Sequence, residues 1–194
     1  MFLSPDEIRA EIEAGNLLID PFCPELLKPS SYVLRLGDAW RRWEAGTEII
    51  SLWSPPNALS TPPLFTMSRI VLRQGEFVLG ATLEKIALGP GLVGILSTLS
   101  HVARYGVSTN NNSLLVSAGF GMHTPTALTL ELSSVNPSPI EIRSGMPICH
   151  LAFMRMSTST DDRLPLTRSI YEGQIAPSSP QLYAEFAAIL QVEE

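Results

Sequence analysis

Between residues 17 and 155 the chain never stays apolar for long. Short runs rich in Val, Ile, Leu, Phe and Thr are cut by Gly, Pro, Asn or Ser at intervals of roughly ten residues. That punctuation leaves no room for a long helix and fits many short strands closing into a sandwich or barrel. Strands are expected over 32–36, 70–72, 77–82, 84–87, 93–96, 114–116, 127–133, 140–142 and 149–156. Pro55, Pro56, Pro62 and Pro63 fall within 45–66, where alternation fades, so that stretch reads as a long surface loop. The expected body is a mainly β, double-sheet fold within a single domain spanning 1–194.

Helical signals stand only at the two ends. Ser4-Pro5-Asp6-Glu7 supplies a cap, a proline suited to the first helical position and a carboxylate where a capping box wants one. With Ile8 and Ile12 on one face and Gly15 as a left-handed stop, a helix is predicted over 5–14. Beyond Met156 the chain turns polar, and Ser179-Pro180 opens a second helix in which Leu182, Phe186, Ile189 and Leu190 form a stripe. The tail 157–194 is thus set apart from the β body, and its helix is expected to pack on a neighbouring surface.

Charge and cysteine usage exclude several classes. With 13 Lys+Arg against 19 Asp+Glu the net charge is −6, and Lys28 and Lys85 are the only lysines, so nucleic acid is not an expected partner. Cys23 and Cys149 come after no secretory leader and read as reduced thiols of a cytoplasmic protein. No apolar run approaches the ~18–20 residues that span a bilayer, so no membrane association is expected.

Motifs read one at a time are weak. Gly89-Pro90-Gly91-Leu92-Val93-Gly94 matches G-x-G-x-x-G, but Pro90 sits inside it and the next residues are strand-like, so a turn is expected there. Cys23, Cys149, His101, His123 and His150 form no paired metal-ligand spacing, and the signature of zinc-dependent nucleobase deaminases is absent. No metal site is expected. Glu131, inside Ala127-Leu128-Thr129-Leu130-Glu131-Leu132, shares a face with Thr129 and Ser133; by residue type alone it reads as a solvent-facing strand residue. Ser100-His101-Val102-Ala103-Arg104 reads as a surface turn with a capping serine. Ser117-Ala118-Gly119-Phe120-Gly121 suits either close backbone approach to a planar ligand or a tight turn around a core phenylalanine.

Taken together and in order, these segments resemble the dCTP deaminase branch of the trimeric dUTPase-like superfamily. The likeness runs through Leu3-Ser4 to Ile8-Arg9, Pro21-Phe22, Pro29-Ser30-Ser31 and Arg35-Leu36-Gly37, then Gly75 to Glu84, Ser117 to Phe120, Leu130-Glu131-Leu132, Gly145-Met146 and Tyr171-Glu172-Gly173-Gln174. The resemblance implies a distorted β-barrel or jelly roll that assembles as a homotrimer with active sites between subunits. It implies metal-independent hydrolytic deamination of a dCTP-like cytosine nucleotide, with Glu131 activating water for attack on C4. Ser100 and Arg104 would support the water and the carboxylate. Backbone groups around Ser117 and Ala118 would read the base edge, Ala118 belonging with Glu131, Ser100 and Arg104 to the chemical set. Gly119 and His101 would also bind the nucleotide, Phe120 would lie near the sugar, and Tyr171 and Gln174, on a tail that closes over the nucleotide, would meet the phosphates. No cofactor is implied beyond Mg2+ as a counterion of the nucleotide phosphates.

The departures fall where phosphate and sugar are expected. Leu99 and Ile170 stand where the family carries basic residues, and His101 replaces a serine. Gly121-Met122-His123-Thr124-Pro125 is one residue shorter than the family's stretch and lacks its aspartate. That aspartate is the water-activating group of the dUTPase branch, so its loss counts against dUTP hydrolysis. Three readings stay open: a deaminase with altered phosphate or sugar preference, a catalytically silent nucleotide-binding or regulatory trimer, and, behind these two, a dUTP pyrophosphatase.

Overall fold

In a computed structural model that describes residues 1–44, 46–52, 54–57, 59–111, 113–159 and 170–190, the chain begins with α1 (Pro5–Glu13), β1 (Leu17–Asp20), β2 (Leu27–Lys28), β3 (Ser31–Arg42), β4 (Leu64–Thr66), β5 (Arg69–Leu72) and β6 (Phe77–Leu88). It continues as β7 (Leu92–Thr98), α2 (Ser100–Ala103), β8 (Val107–Ser108), β9 (Leu115–Val116), β10 (Thr126–Ser134), β11 (Ile140–Arg143), β12 (Pro147–Arg155) and α3 (Leu182–Leu190). One sheet runs β8-β10-β6-β3-β12-β7-β9, with β1 on β6 and β2 and β4 on β3, while β5 and β11 form a separate pair.

β3 bends this sheet. Its first residues pair with β2 and β12, and beyond Leu36 it crosses to β4 and β6. A strand that changes partners along its length curls the sheet into a half-barrel. Gly37 lies at the crossing, where a Cβ would come within 3.1 Å of the Ala81 carbonyl. The enclosed core holds Leu36 and Trp40 of β3, Val78 and Ile86 of β6, Leu130 and Leu132 of β10, and Phe153 of β12, all buried. The Trp40 indole donates to the Met67 carbonyl at 2.9 Å, so its polar edge is satisfied inside.

α1 has the expected capping box: Ser4 Oγ accepts from the Glu7 amide, the Ser4 amide donates to Glu7 Oε2 at 2.8 Å, and Gly15 takes φ +75°. The two strands expected over 77–82 and 84–87 are a single strand, β6. Glu84 does not interrupt it, because its fully buried carboxylate accepts from the Arg35 amide at 2.8 Å and from Arg35 Nε at 2.7 Å. The glycine-rich motif is a turn from β6 to β7, closed by Leu92 N donating to the Gly89 carbonyl. Within the expected 45–66 loop, Leu64–Thr66 forms β4. Both cysteines are free thiols, and burial pushes that of Cys149 up.

The carboxy-terminal helix starts near the expected place but departs from helical dihedrals at Phe186 (φ −114°, ψ 19°). Leu182 and Phe186 stay exposed, at 43% and 41%. Of the rest of the expected stripe, the side chains of Ile189 and Leu190 lie outside those described, as do residues 160–169 of the tail.

Candidate active site

β10 builds the floor. Leu128, Leu130 and Leu132 point into the core, so the period of two puts Thr129, Glu131 and Ser133 on the opposite, half-buried face. The register with β6 slips between Ala127 and Thr129, and Thr82 Oγ1 fills the irregularity by accepting from the Leu128 amide at 2.9 Å. Bulges of this kind re-aim the side chains beyond them.

Glu131 sits on a rigid backbone: its amide donates to the Thr109 carbonyl at 3.0 Å, and Asn110 bridges it on the side away from β6. Its carboxyl makes no hydrogen bond or ion pair among the described residues, and burial pushes its pKa up from the usual carboxylate range. Desolvation disfavours the charged form, which moves such a group toward the pH where it can both take and give a proton.

Glu131 opens into a cleft of about 1060 Å³. One wall is the loop after β9, where Ser117, Ala118, Gly119 and Phe120 all line the space. Phe120 N donates to the Ser117 carbonyl at 3.1 Å, and the Phe120 carbonyl accepts from Leu88 N at 2.8 Å. Any side chain at Gly121 (φ +65°) would run into the Ile86 carbonyl. The segment is a tight turn with Phe120 packed against the core, and it also lines the cleft.

The tail makes the opposite wall, with Tyr171 and Gln174 facing the cleft. Gly173 N donates to Thr126 Oγ1 at 2.8 Å, and the Gln174 carbonyl accepts from Ala127 N at 2.9 Å. Glu172 Oε1 accepts from the amides of His123 and Thr124 at 2.9 and 3.0 Å. Tyr171 OH accepts from Gln181 N at 2.9 Å, and burial pushes the phenol up. The tail is therefore docked across β10 and not merely adjacent to it.

Ser100, His101 and Arg104 lie elsewhere. They sit exposed on and just after α2, they do not line the cleft, and no hydrogen bond or ion pair among the described residues joins them to Glu131. A single chain thus brings together Glu131, Ser117, Ala118, Gly119, Phe120, Tyr171 and Gln174, and leaves the α2 group apart. Thr129, His123, Glu172 and Glu185 line the cleft as well, although the sequence did not single them out for it. Only Thr129 carried a usable signal, its position two residues before Glu131 on the same strand face. No Lys or Arg is among the described lining residues, and no group of three or more His, Cys, Asp or Glu among the described residues is placed to hold a metal ion.

Residues 2–156 match the family described as dCTP deaminase-like. A protein of Parafrankia sp. (strain EAN1pec) named "dCTP deaminase, dUMP-forming" is 34% identical over 199 residues, covering 96% of this chain and 92% of its own. One of the same name from Mycobacterium avium (strain 104) is 35% identical, covering 96% and 98%. Among solved structures, 2'-deoxycytidine 5'-triphosphate deaminase from Agrobacterium tumefaciens superposes with a TM-score of 0.61 at 23% identity over 80% of this chain. The chain spans about half of that protein, 47%, and the likeness there is one of fold.

Proposed function

Because the chain belongs to the dCTP deaminase-like family, we propose that it is a hydrolytic deaminase that converts a dCTP-like cytosine nucleotide to the uracil nucleotide and releases ammonia. The observation that carries this reading is Glu131: a half-buried carboxyl, raised by desolvation and without a protein partner among the described residues, at the floor of a cleft walled by a backbone-rich turn.

In this reading the Glu131 carboxylate takes a proton from water as the oxygen adds to C4 of the cytosine. It passes that proton to N3, then takes the remaining proton from the new C4 hydroxyl and gives it to the amine, so that ammonia departs as the C4–N bond breaks and the C4 carbonyl forms. Backbone groups from Ser117 to Gly119 line the wall against which the base edge would lie, and Phe120 packs beside the sugar. Ser100 and Arg104 enter from a second protomer: their exposure on α2, away from the cleft of their own chain, fits a homotrimer whose sites are shared. His101 travels with them, and Tyr171 and Gln174 cover the nucleotide from the tail. The mechanism asks for no tightly bound cofactor, and Mg2+ would accompany only the nucleotide phosphates. The expected place of work is the cytoplasm, where nucleotide pools lie.

The test is release of ammonia from cytosine nucleosides and nucleotides, ribo and deoxy, with zero to three phosphates. Turnover of at least one nucleotide is expected, and Glu131→Gln should lower it by ~10²–10⁴-fold while nucleotide still binds. Diphosphate measured in the same samples separates simple deamination from the dUMP-forming reaction for which the relatives are named. Binding without turnover of any member would leave a silent nucleotide-binding trimer instead.

A further inference from the structure

Gln174 is held in a way that a phosphate-binding amide would not be. Its Nε2 donates to the Ala127 carbonyl at 2.8 Å and to Thr129 Oγ1 at 3.1 Å, so both amide hydrogens are committed to β10. The orientation is dictated by chemistry: the Ala127 carbonyl can only accept, so the nitrogen and not the oxygen must face it. Gln174 is left with Oε1, a buried acceptor with no hydrogen-bond partner among the described residues, on a side chain that lines the cleft. An ionised phosphate oxygen also only accepts and cannot satisfy it. A buried acceptor left unpaired is costly, and its natural complement is a ligand O–H or N–H.

Position selects which donor. Thr129 and Glu131 stand two residues apart on one face of β10, roughly 7 Å along the strand. With Glu131 at C4, the exocyclic amine lies at the Glu131 end of the base. The cleft continues along this face toward Thr129 and is not lined by Ser133, so the group that falls a strand repeat away, toward Thr129, is the sugar. Resting on the nucleotide reading above, we propose that Gln174 Oε1 accepts a hydrogen bond from a sugar hydroxyl. Thr129 is then the positioning residue that holds the amide in this orientation by accepting its second hydrogen. The cleft thereby reads the sugar through an amide borrowed from the tail, at the end of the site where the sequence lacks a carboxylate.

The experiment compares binding of deoxycytidine and 2',3'-dideoxycytidine 5'-triphosphates by titration calorimetry, using full-length Glu131→Gln so that neither is turned over. The protein should prefer the hydroxyl-bearing nucleotide by on the order of tenfold. Adding Thr129→Val, which keeps shape and removes the acceptor, should bring the preference close to unity, and Thr129→Ser should restore it. A preference that survives Thr129→Val, or no preference at the outset, overturns the proposal while leaving the nucleotide site standing. Loss of affinity for both nucleotides alike in Thr129→Val also overturns it, since that is the mark of a structural role. Failure of either nucleotide to bind the parent protein, shown folded by its thermal melt, would reject the nucleotide reading together with this one.

Discussion

Glu131 carries a stability signature as well as a chemical one. Its pKa in the folded protein is raised by desolvation, so the folded state binds its proton more tightly than the unfolded chain does. Its contribution is therefore most favourable below the unfolded carboxylate pKa and is lost as pH rises through the higher folded value. Glu131→Gln, which has no charge to desolvate, should melt above the wild type at pH 7, with the gap closing at acid pH. Thermal melts across that range check this, and a variant that melts lower at pH 7 would mean that the carboxyl is not destabilised by burial. Residue type alone did not distinguish Glu131 from a solvent-facing strand glutamate. The order of motifs around it singled it out as a candidate, and the structure places its carboxyl on the half-buried face of β10 that opens into the cleft. The Gln174 contact with Thr129 was not legible, because it joins residues forty-five positions apart whose types carry no pairing code.

At the scale of elements, the amino-terminal helix is where local sequence spoke most clearly. The cap of α1 needs only residues 4 to 7, and Glu7 is pulled down to about 2, first by the Ser4 amide and then by Arg155. Because that shift is downward, the helix keeps this anchor throughout the neutral and mildly acid range and gives it up as pH falls toward about 2. Ser4→Ala should cost about 1 kcal/mol in chemical denaturation at pH 7. An unchanged midpoint would show that the cap adds nothing to what the packing of Ile8 and the Arg155 ion pairs with Glu7 and Glu11 already supply. The strands were legible in kind and less so in extent. β6 runs through Glu84 only because Arg35, from a strand far away in sequence, neutralises it, and no local pattern reports such a partner. The short strands β2, β4 and β8 exist through pairing with longer neighbours, since runs of two or three residues have no period to read.

At the scale of the whole molecule, the separation of α2 from Glu131 leads to a complementation test. If one protomer supplies Glu131 and another Arg104, Glu131→Gln and Arg104→Ala homo-oligomers should each be inactive. Coexpressed in equal amounts, they should form mixed trimers in which about a quarter of the sites carry both native residues. Ammonia release near that fraction of the wild-type rate is the expected result, and none at all would place both groups' roles within a single chain. The sequence by itself determined the mainly β class, the capped helix at the start, the turn at Gly89 and the set of residue types that chemistry could use. These come from short-range periodicity and backbone preference, which neighbouring residues settle among themselves. Tertiary structure decided which of those residues meet. The curl of β3, the bulge at Ala127 and the tail docked on β10 bring Glu131, the Ser117 turn and Gln174 to one cleft and leave Ser100 and Arg104 outside it. Contacts of that range depend on pairing and burial across the whole chain, so they are fixed only once the sheet has closed.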